Sequence, residues 1–347
     1  LYDLIPLLNP EQYLKPSPSY QQYYCRKIDD LKQASRFLAI SDFSRNESIG
    51  HLRVEEPQVA NVSTAIEPIF QPFNIPKETA DALRKQLNIS RPYVLYTGGA
   101  DERKNLPRLI KAYATLPHEL RQRHQLLFAG QMPEGNIAEF QRIAEKAGLE
   151  SGELCFSGYV SDEELVQLYN MCELYVFPSW HEGFGLPALE AMACGAPVIG
   201  ANTSSLPEVI GFDEALFDPL DVASVCKKMH QALTDTDFRK RLREYGLQRA
   251  KLFCWDETAK RAIAAWETCQ LNQSIQIHDD LNSWSSILNS LEDLYRRLIT
   301  EIAKVFAAQQ KDAESDLKKL AGCIDRNERE VQAYLRSRAL PDKLTWR

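Results

Sequence analysis

The sequence predicts an α/β protein with a doubly wound, parallel, Rossmann-like sheet. From Pro92 onward, short apolar runs alternate with amphipathic helical patterns, which is typical of a parallel sheet with helices on both faces. Ligands of such sheets bind beyond the carboxyl ends of the strands, so the loops after the strands are candidate sites. The predicted strands are Tyr93–Thr97, Gln125–Gly130, Leu154–Ser157, Leu174–Pro178 and Pro197–Gly200, and the predicted helices are Leu106–Leu116, Ile137–Gly148, Asp162–Met171 and Leu186–Cys194.

The segment before the alternating region is mixed, and we expect residues 1–75 to be a separate unit. A helical pattern covers Tyr20–Leu31, and a short buried run over Phe37–Ile40 is followed by a turn at Ser41–Arg45. A further strand is predicted within Val59–Ile66, before the proline-punctuated linker Pro68–Pro76.

The segment after the alternating region is predicted to be helical. Residues 76–270 are expected to be one domain with closing helices over 221–270, and residues 271–347 a helical extension or a linker to a further module. Long amphipathic helices are predicted over 281–335 by apolar residues spaced by three and four, namely Leu288, Leu291, Leu294, Leu298, Ile302 and Val305.

Composition narrows the class of protein. The net charge of −7 argues against a broad nucleic-acid interface, which needs a basic face. The eight cysteines contain no CxxC pair and no zinc-like spacing with histidine, so we expect scattered thiols in a reducing compartment. No stretch approaches the roughly 20 apolar residues of a membrane span. We therefore expect a cytoplasmic protein, with peripheral association at the inner face of the membrane left open.

The most informative motif runs from Trp180 to Ile199, after a predicted strand and into a predicted helix. Gly183 and Gly185 permit close approach of a ligand, and the helix N-terminus behind them offers free amides to a diphosphate. Pro187 suits the first helical turn. Glu190, expected in that turn, is placed to accept hydrogen bonds from two vicinal hydroxyls, and Glu182 is placed toward a sugar. The alternative is a strand–turn–helix unit in which Glu190 only favours the helix dipole.

A second motif, Tyr96–Leu106, follows the first strand of the domain. Arg103 and Lys104 supply positive charge where this strand ends, and both side chains bind phosphates. Asn105 is expected to cap the next helix. The competing interpretation is a solvated charged turn.

Further candidate positions end other strands. For the loop Phe156–Val160, for Gly130 and for Thr203 and Ser204, a turn or cap is as good an interpretation as a ligand contact. His181 lies beside Glu182, although a lone histidine at a strand end is more often structural. Asp235-Thr-Asp237 has the spacing of a metal-binding DxD, but it precedes the helical run Phe238–Tyr245 and is predicted to cap that helix.

These motifs together resemble the E-x7-E region and the preceding loops of retaining glycosyltransferases of family 4, over about residues 1–270. The resemblance implies a GT-B fold, in which Glu182 contacts the transferred sugar and Glu190 the nucleotide ribose. It implies a base-binding loop at 156–165, and relatives often carry arginine where Gly99 stands. The implied donor-binding positions are Gly98, Gly99, Gly130, Tyr159, Val160, Leu165, His181, Gly183, Phe184, Gly185, Leu186, Glu190, Thr203 and Ser204, beside the implied catalytic Glu182, Lys104 and Arg103.

The first domain of the resembled family is represented here by little sequence. Leu1–Leu8 resembles a late "HDLIP" segment of that domain, with Tyr2 where many relatives have histidine, and Leu38–Arg45 resembles its closing strand. We therefore expect a truncated N-terminal domain and further domains of the same polypeptide.

The resemblance thus implies a retaining glycosyltransferase that moves a hexose such as mannose from a GDP- or UDP-linked donor to a glycan acceptor in cell-surface polysaccharide synthesis. No cofactor or metal is expected to be required. The alternative is a non-catalytic donor-binding or scaffold module, and a third possibility is a sugar-nucleotide epimerase or phosphorylase.

Overall fold

The computed structural model describes residues 1–273, 291–302 and 321–322. Its contacts form two compact units, Leu1–Gln270 and Leu271–Arg347. The strands are β1 (Phe37–Ala39), β2 (Val59–Asn61), β3 (Tyr93–Thr97), β4 (Gln125–Ala129), β5 (Leu154–Gly158), β6 (Leu174–Phe177), β7 (Val198–Ala201) and β8 (Leu216–Phe217).

The first helices lie before or between the strands: α1 (Ile5–Leu8), α2 (Pro10–Tyr13), α3 (Pro18–Leu31), α4 (Asp42–Leu52), α5 (Lys77–Gln86), α6 (Leu106–Ala114), α7 (His118–Arg123) and α8 (Glu134–Lys146). The later helices are α9 (Asp162–Met171), α10 (Leu186–Ala193), α11 (Leu206–Ile210), α12 (Val222–Thr234), α13 (Thr236–Ala250) and α14 (Trp255–Gln273). Single 3₁₀ turns form at Glu56–Gln58, Glu102–Lys104 and Asp213–Ala215.

The main sheet is parallel throughout, in the order β5-β4-β3-β6-β7-β8. This order is that of doubly wound dinucleotide-binding sheets, in which the chain reverses its direction of growth beside the first strand. The reversal here falls between β3 and β6. The α/β prediction is therefore confirmed, and the crevice at this switch point is where a ligand is expected.

The strands form where the sequence is continuously apolar because helices cover both faces of the sheet. Every residue of β3, β4, β6 and β7 is buried, whereas the edge strand β5 is half-buried. The predicted β3 and α9 have the observed bounds, and a capping box of Ser161 and Glu164 begins α9. Asp235 accepts a hydrogen bond from the Phe238 N–H at 2.9 Å, so the prediction that it caps a helix is confirmed.

The first part of the chain pairs β1 with β2 in parallel. A small core, separate from that of the main sheet, contains Leu4, Ile28, Phe37, Ala39, Leu52 and Val59. The predicted turn at Ser41–Arg45 is wrong, because Ser41 is the N-cap of α4 and its hydroxyl accepts from the Ser44 N–H at 2.9 Å. The predicted strand in Val59–Ile66 ends at Asn61, and Ser63 then takes a φ of 62°.

In the second unit, residues 291–302 are helical, and Leu291, Leu294 and Leu298 are exposed there. Leu288 and Val305, which carried part of the amphipathic prediction, lie outside the described residues. Among the helices described, none is both long enough and apolar enough to cross a bilayer.

Candidate active site

The loops after β3 and β6 meet at the switch point through three charged side chains. Lys104 Nζ donates to Glu182 Oε1 at 2.6 Å, and Arg103 Nη1 lies 2.7 Å from Glu182 Oε2. Glu182 is only 7% exposed. A buried carboxylate requires such partners, since burial of an unpaired charge is costly. The three residues predicted as catalytic therefore lie in one cluster.

Hydrogen bonds of Asp101 and Arg103 hold the loop after β3 in place. The Asp101 carboxylate accepts from the Arg103 N–H at 3.1 Å, and it also accepts from the Tyr13 hydroxyl at 2.6 Å. Arg103 in turn donates to the His181 carbonyl at 2.9 Å, and its own carbonyl accepts from the Trp180 N–H at 3.0 Å. These bonds tie the β3 loop to the β6 loop independently of Glu182.

Asn105 has a different role from the one expected. It occupies the N-cap position of α6 with a φ of 61°, but its side chain accepts no bond from a backbone N–H of that helix. Its Oδ1 accepts from Arg108 Nη1 at 2.9 Å. Its amide instead donates to the Pro178 carbonyl at 3.1 Å and to the Pro219 carbonyl at 2.7 Å. The capping prediction is wrong because two buried carbonyls of distant loops need a donor at this position.

The glycines of the β6 loop are required by packing within the chain. A Cβ on Gly183 would lie 2.4 Å from the Tyr2 carbonyl oxygen, while the Gly183 carbonyl accepts from the Ser41 hydroxyl at 2.6 Å. Gly185 has a φ of 107°, and a Cβ there would lie 2.6 Å from Leu206. This packing requirement exists before any ligand is considered, and the approach of a ligand to these glycines stays a prediction.

Helix α10 begins at Leu186 with Pro187 in its first turn, as predicted. Because α10 begins at Leu186, Glu190 is already past the first turn and lies in the second. Its Oε2 accepts a hydrogen bond from the Tyr169 hydroxyl at 2.9 Å. Burial raises the pKa of Glu190 to about 7, against the opposing effect of the Tyr169 hydrogen bond.

A cavity of about 390 Å³ adjoins Glu190, and its lining is mainly apolar and aromatic: Tyr2, Leu186, Phe70 and Trp255 are among its walls. Two larger cavities of about 580 Å³ lie elsewhere, one beside Asp101 and Trp180 and one beside Arg249. Neither of them is lined by Glu190, and Glu182 lines none of these three cavities. We therefore identify the candidate donor site by the groups that line it, and above all by Glu190, rather than by the volume of its cavity.

His181 packs toward the first part of the chain. Its Nε2 lies 2.9 Å from Glu47 Oε1, and its ring meets Phe43 edge-on with centroids 5.6 Å apart. These contacts support a structural role, and a contact of His181 with a donor stays a prediction.

The loop after β7 supports Glu182 from the other side. The Glu182 N–H donates to the Ser204 hydroxyl at 3.2 Å, and the Ser205 hydroxyl bonds the carbonyls of Glu182 and Phe184 at 2.9 and 2.7 Å. The Thr203 hydroxyl is buried and has no hydrogen-bond partner in the described part of the chain. Of the two predicted residues, Ser204 thus positions Glu182, and Thr203 retains an unused donor.

Most of the remaining predicted positions follow β3, β4 and β5, whereas Leu165 lies in α9. Gly98 and Gly130 pack backbone against backbone, since a Cβ on Gly130 would lie 2.6 Å from the Gly98 carbonyl oxygen. The Gly99 carbonyl accepts from the Tyr96 hydroxyl at 2.8 Å. Tyr159 is 75% exposed, whereas Val160 and Leu165 are half-buried against the main core. The positions that follow the strands therefore lie at the same edge of the parallel sheet.

Sequence reasoning missed several residues around the site. Tyr169 contacts Glu190, Thr97 contacts Tyr169, and Tyr13 fixes Asp101. Thr97 was signalled by its place at the end of a strand. Tyr169 and Tyr13 carried no signal, because their hydroxyls reach the site only after distant segments pack.

A doubly wound parallel sheet of this strand order, with charged loops at its switch point, matches the fold of the GT-B glycosyltransferases. The solved structures support this class: a Rickettsia africae glycosyltransferase matches with a TM-score of 0.61 at 16% identity, covering 73% of this chain and 68% of that chain. HepE of Anabaena, solved with UDP and glucose, matches with a TM-score of 0.60 at 20% identity, covering 73% and 69%. At these identities the likeness concerns the fold alone.

Residues 79–249 match the family described as "Glycosyl transferases group 1", and this region of the chain belongs to that family of transferases. It is 34% identical over 347 residues to the serotype-specific mannosyltransferase WbdA of Escherichia coli, across 93% of this chain and 41% of that protein. It is also 34% identical over 258 residues to the O-antigen chain mannosyltransferase B of Escherichia coli, across 74% of this chain and 66% of that protein. The chain spans between 32% and 41% of the length of the three WbdA relatives.

Proposed function

We propose that this chain carries the donor site of a retaining mannosyltransferase, which moves mannose from a nucleoside-diphosphate sugar to a growing glycan of a cell-surface polysaccharide. The mannosyltransferase names of the relatives support the sugar and the glycan acceptor. The observation that carries the proposal is the pairing of Arg103 and Lys104 with Glu182 at the switch point of the sheet.

The three charges suit the transfer of a sugar from a diphosphate. A donor diphosphate would take Arg103 and Lys104 as its partners, and both are suited to phosphate. Glu182 would then be released to accept hydrogen bonds from sugar hydroxyls. As the bond from the anomeric carbon to the phosphate oxygen breaks, negative charge grows on the diphosphate. The two cations and the first amides of α10 would stabilise that charge more strongly in the transition state than in the ground state.

Glu182 is assigned the positioning of the sugar rather than covalent catalysis. The resemblance to retaining glycosyltransferases of family 4 implies attack on the same face without a protein nucleophile. The proposal therefore has the acceptor hydroxyl attack the face from which the diphosphate leaves and pass its proton to the departing phosphate oxygen, so the anomeric configuration is retained. No metal ion is required in this scheme, because Arg103 and Lys104 supply the positive charge.

We also place the chain in the cytoplasm. The six cysteines whose side chains the structure describes, Cys25, Cys155, Cys172, Cys194, Cys226 and Cys254, are free thiols, as suits a reducing compartment. Association with the inner face of the membrane, and with further domains of the same polypeptide, belongs to the proposal as well.

The first test is a thermal-shift panel of the full chain with GDP, UDP, ADP and their sugars, since a ligand that prefers the native state raises the melting temperature. A shift with one nucleoside diphosphate and with its mannose conjugate is expected. Incubation of that conjugate with a mannose-terminated acceptor should then give an α-linked product, assigned by NMR. No binding at millimolar ligand would instead favour a scaffold module, and an inverted product would contradict the proposed stereochemistry.

A further inference from the structure

Three hydroxyl groups connect the interior of the sheet to Glu190. The Tyr175 hydroxyl lies 3.0 Å from Thr97 Oγ1, which lies 2.9 Å from the Tyr169 hydroxyl. The Tyr169 hydroxyl donates to Glu190 Oε2 at 2.9 Å. Thr97 and both tyrosines are buried. The four side chains therefore form a continuous hydrogen-bonded row from β6, through β3 and α9, to α10.

The direction of these bonds follows from counting protons, since each hydroxyl has one. Tyr169 uses its proton on the carboxylate, so it must accept the proton of Thr97. Thr97 must then accept from Tyr175. An ionised Glu190 thus fixes the orientation of the whole row, and the row in turn presents an aligned donor to Oε2.

The other carboxylate oxygen is left for a ligand. Within the described residues Glu190 Oε1 accepts no hydrogen bond, and Glu190 lines the 390 Å³ cavity that Leu186 also lines. A carboxylate on one rotatable side chain offers a fixed acceptor only if one of its oxygens is anchored. Tyr169 is the anchoring group here.

We propose that Tyr169, oriented by Thr97 and Tyr175, is a positioning residue that holds Glu190 as an ionised acceptor for the vicinal hydroxyls of a ribose. The proposal rests on the function proposed above, in which Glu190 meets the ribose of a nucleoside diphosphate. It adds the row of hydroxyls behind the glutamate, which extends the site to the core of the sheet.

Among the groups around Glu190, Tyr169 is the one that stabilises its ionised form. Burial raises the pKa of Glu190, and the Asp162 carboxylate raises it further. Cys194, one turn along α10, is itself buried with a raised pKa and is a neutral thiol near pH 7. Tyr175 is neutral for the same reason of burial. The hydrogen bond from Tyr169 is thus the local interaction that favours the charged carboxylate.

The decisive variant is Tyr169→Phe, which removes one oxygen and keeps the ring. Tyr93→Phe is its matched control: Tyr93 is equally buried, and its hydroxyl donates to the Leu168 carbonyl of the same helix α9 at 2.8 Å. That carbonyl keeps the Cys172 N–H as a partner at 3.0 Å after the change. Thr97→Val interrupts the row one step further back, and Thr97→Ser restores its hydroxyl.

The first readout needs no ligand. The ¹³C carboxyl titration of Glu190, assigned by its loss in Glu190→Gln, is expected to move to higher pH in Tyr169→Phe and less so in Thr97→Val. It should be unchanged in Tyr93→Phe and in Thr97→Ser. An identical titration in wild type and Tyr169→Phe would overturn the proposal, whatever the protein binds.

The second readout compares GDP with 2′,3′-dideoxy-GDP by calorimetry at pH 8, or the corresponding pair for whichever nucleoside diphosphate binds. Tyr169→Phe is expected to weaken the ribose-containing ligand about tenfold and to leave the dideoxy ligand unchanged. An equal loss for both ligands would mean a structural role only and would overturn the ribose assignment. Absence of binding of either ligand to the wild type would overturn the proposed function, while the titration still decides the role of the row.

Discussion

Lys104 and Glu182 are 78 residues apart in the chain, yet the lysine Nζ donates to the carboxylate Oε1 at 2.6 Å across the switch point of the sheet. Arg103 holds the other oxygen at 2.7 Å. The groups expected to bind phosphate and the group expected to bind sugar are therefore one cluster. A ligand that engages the cations must change the partners of the carboxylate.

This coupling predicts opposite effects for the two partners. Lys104→Met should weaken nucleoside diphosphate binding about tenfold or more, since a hydrogen bond to a charged group contributes roughly 1.5–3 kcal/mol. Glu182→Gln should leave that affinity unchanged or raise it, because the cations lose a competitor, while sugar transfer is lost. Calorimetry with the diphosphate and an assay of transfer measure both quantities. A large loss of diphosphate affinity in Glu182→Gln would contradict the coupling.

Glu190→Ala should weaken binding of a nucleoside diphosphate and leave binding of inorganic pyrophosphate unchanged, since only the former carries a ribose. The matched control is Glu145→Ala, which removes an exposed glutamate from α8 and should change neither affinity. Isothermal calorimetry of both ligands decides the matter. Unchanged nucleotide affinity in Glu190→Ala would mean that the ribose assignment is wrong.

The raised pKa of Glu190 predicts a pH dependence of stability. The carboxyl has a pKa of about 7 in the folded chain against 4.5 as its ordinary value. The folded state therefore binds its proton more tightly than the unfolded state, and this stabilisation is lost as the pH rises through about 7. Glu190→Gln, which stays neutral, should melt at a higher temperature than wild type at pH 8, and the difference should vanish near pH 4.5. A difference independent of pH would show that the glutamate is not buried as described.

The glycines of the β6 loop predict a stability effect without any ligand. Gly183→Ala forces a methyl group to within 2.4 Å of the Tyr2 carbonyl oxygen and should destabilise the fold by about 1–3 kcal/mol. Gly185→Ala should have a similar cost, because its φ of 107° is strained for an L side chain.

Gly135→Ala is the control for both changes. Gly135 lies at the start of α8, and a methyl group there would have no neighbouring atom within 4 Å, so the change should be neutral or slightly stabilising. Urea unfolding of the three variants measures the free energy of unfolding. Equal values for Gly183→Ala and Gly135→Ala would remove the packing argument at Gly183.

Much of the fold could be predicted because its signals are local. The continuous apolar run Tyr93–Thr97 and the helical pattern over Asp162–Met171 gave the observed bounds of β3 and α9. The start of α4 after its N-cap Ser41 was missed, since a serine followed by an aspartate is as typical of a turn as of a helix cap.

The sequence by itself determined which chemical groups follow each strand: two cations after β3, and two glutamates with glycines after β6. Strand–helix alternation determined that those strands share one parallel sheet, so that their loops face the same edge. Both are properties of contiguous residues, in which hydrophobic period and turn chemistry act over a few positions.

Only the tertiary structure decided how those groups are paired. In the sheet β3 lies beside β6. Because of this adjacency, Arg103 and Lys104 form ion pairs with Glu182. It also directed Asn105 to two distant carbonyls and Tyr169 to Glu190. A buried polar group requires a hydrogen-bond partner, and the partner is whichever group lies within reach once the chain is packed. The local sequence does not predict which group that is.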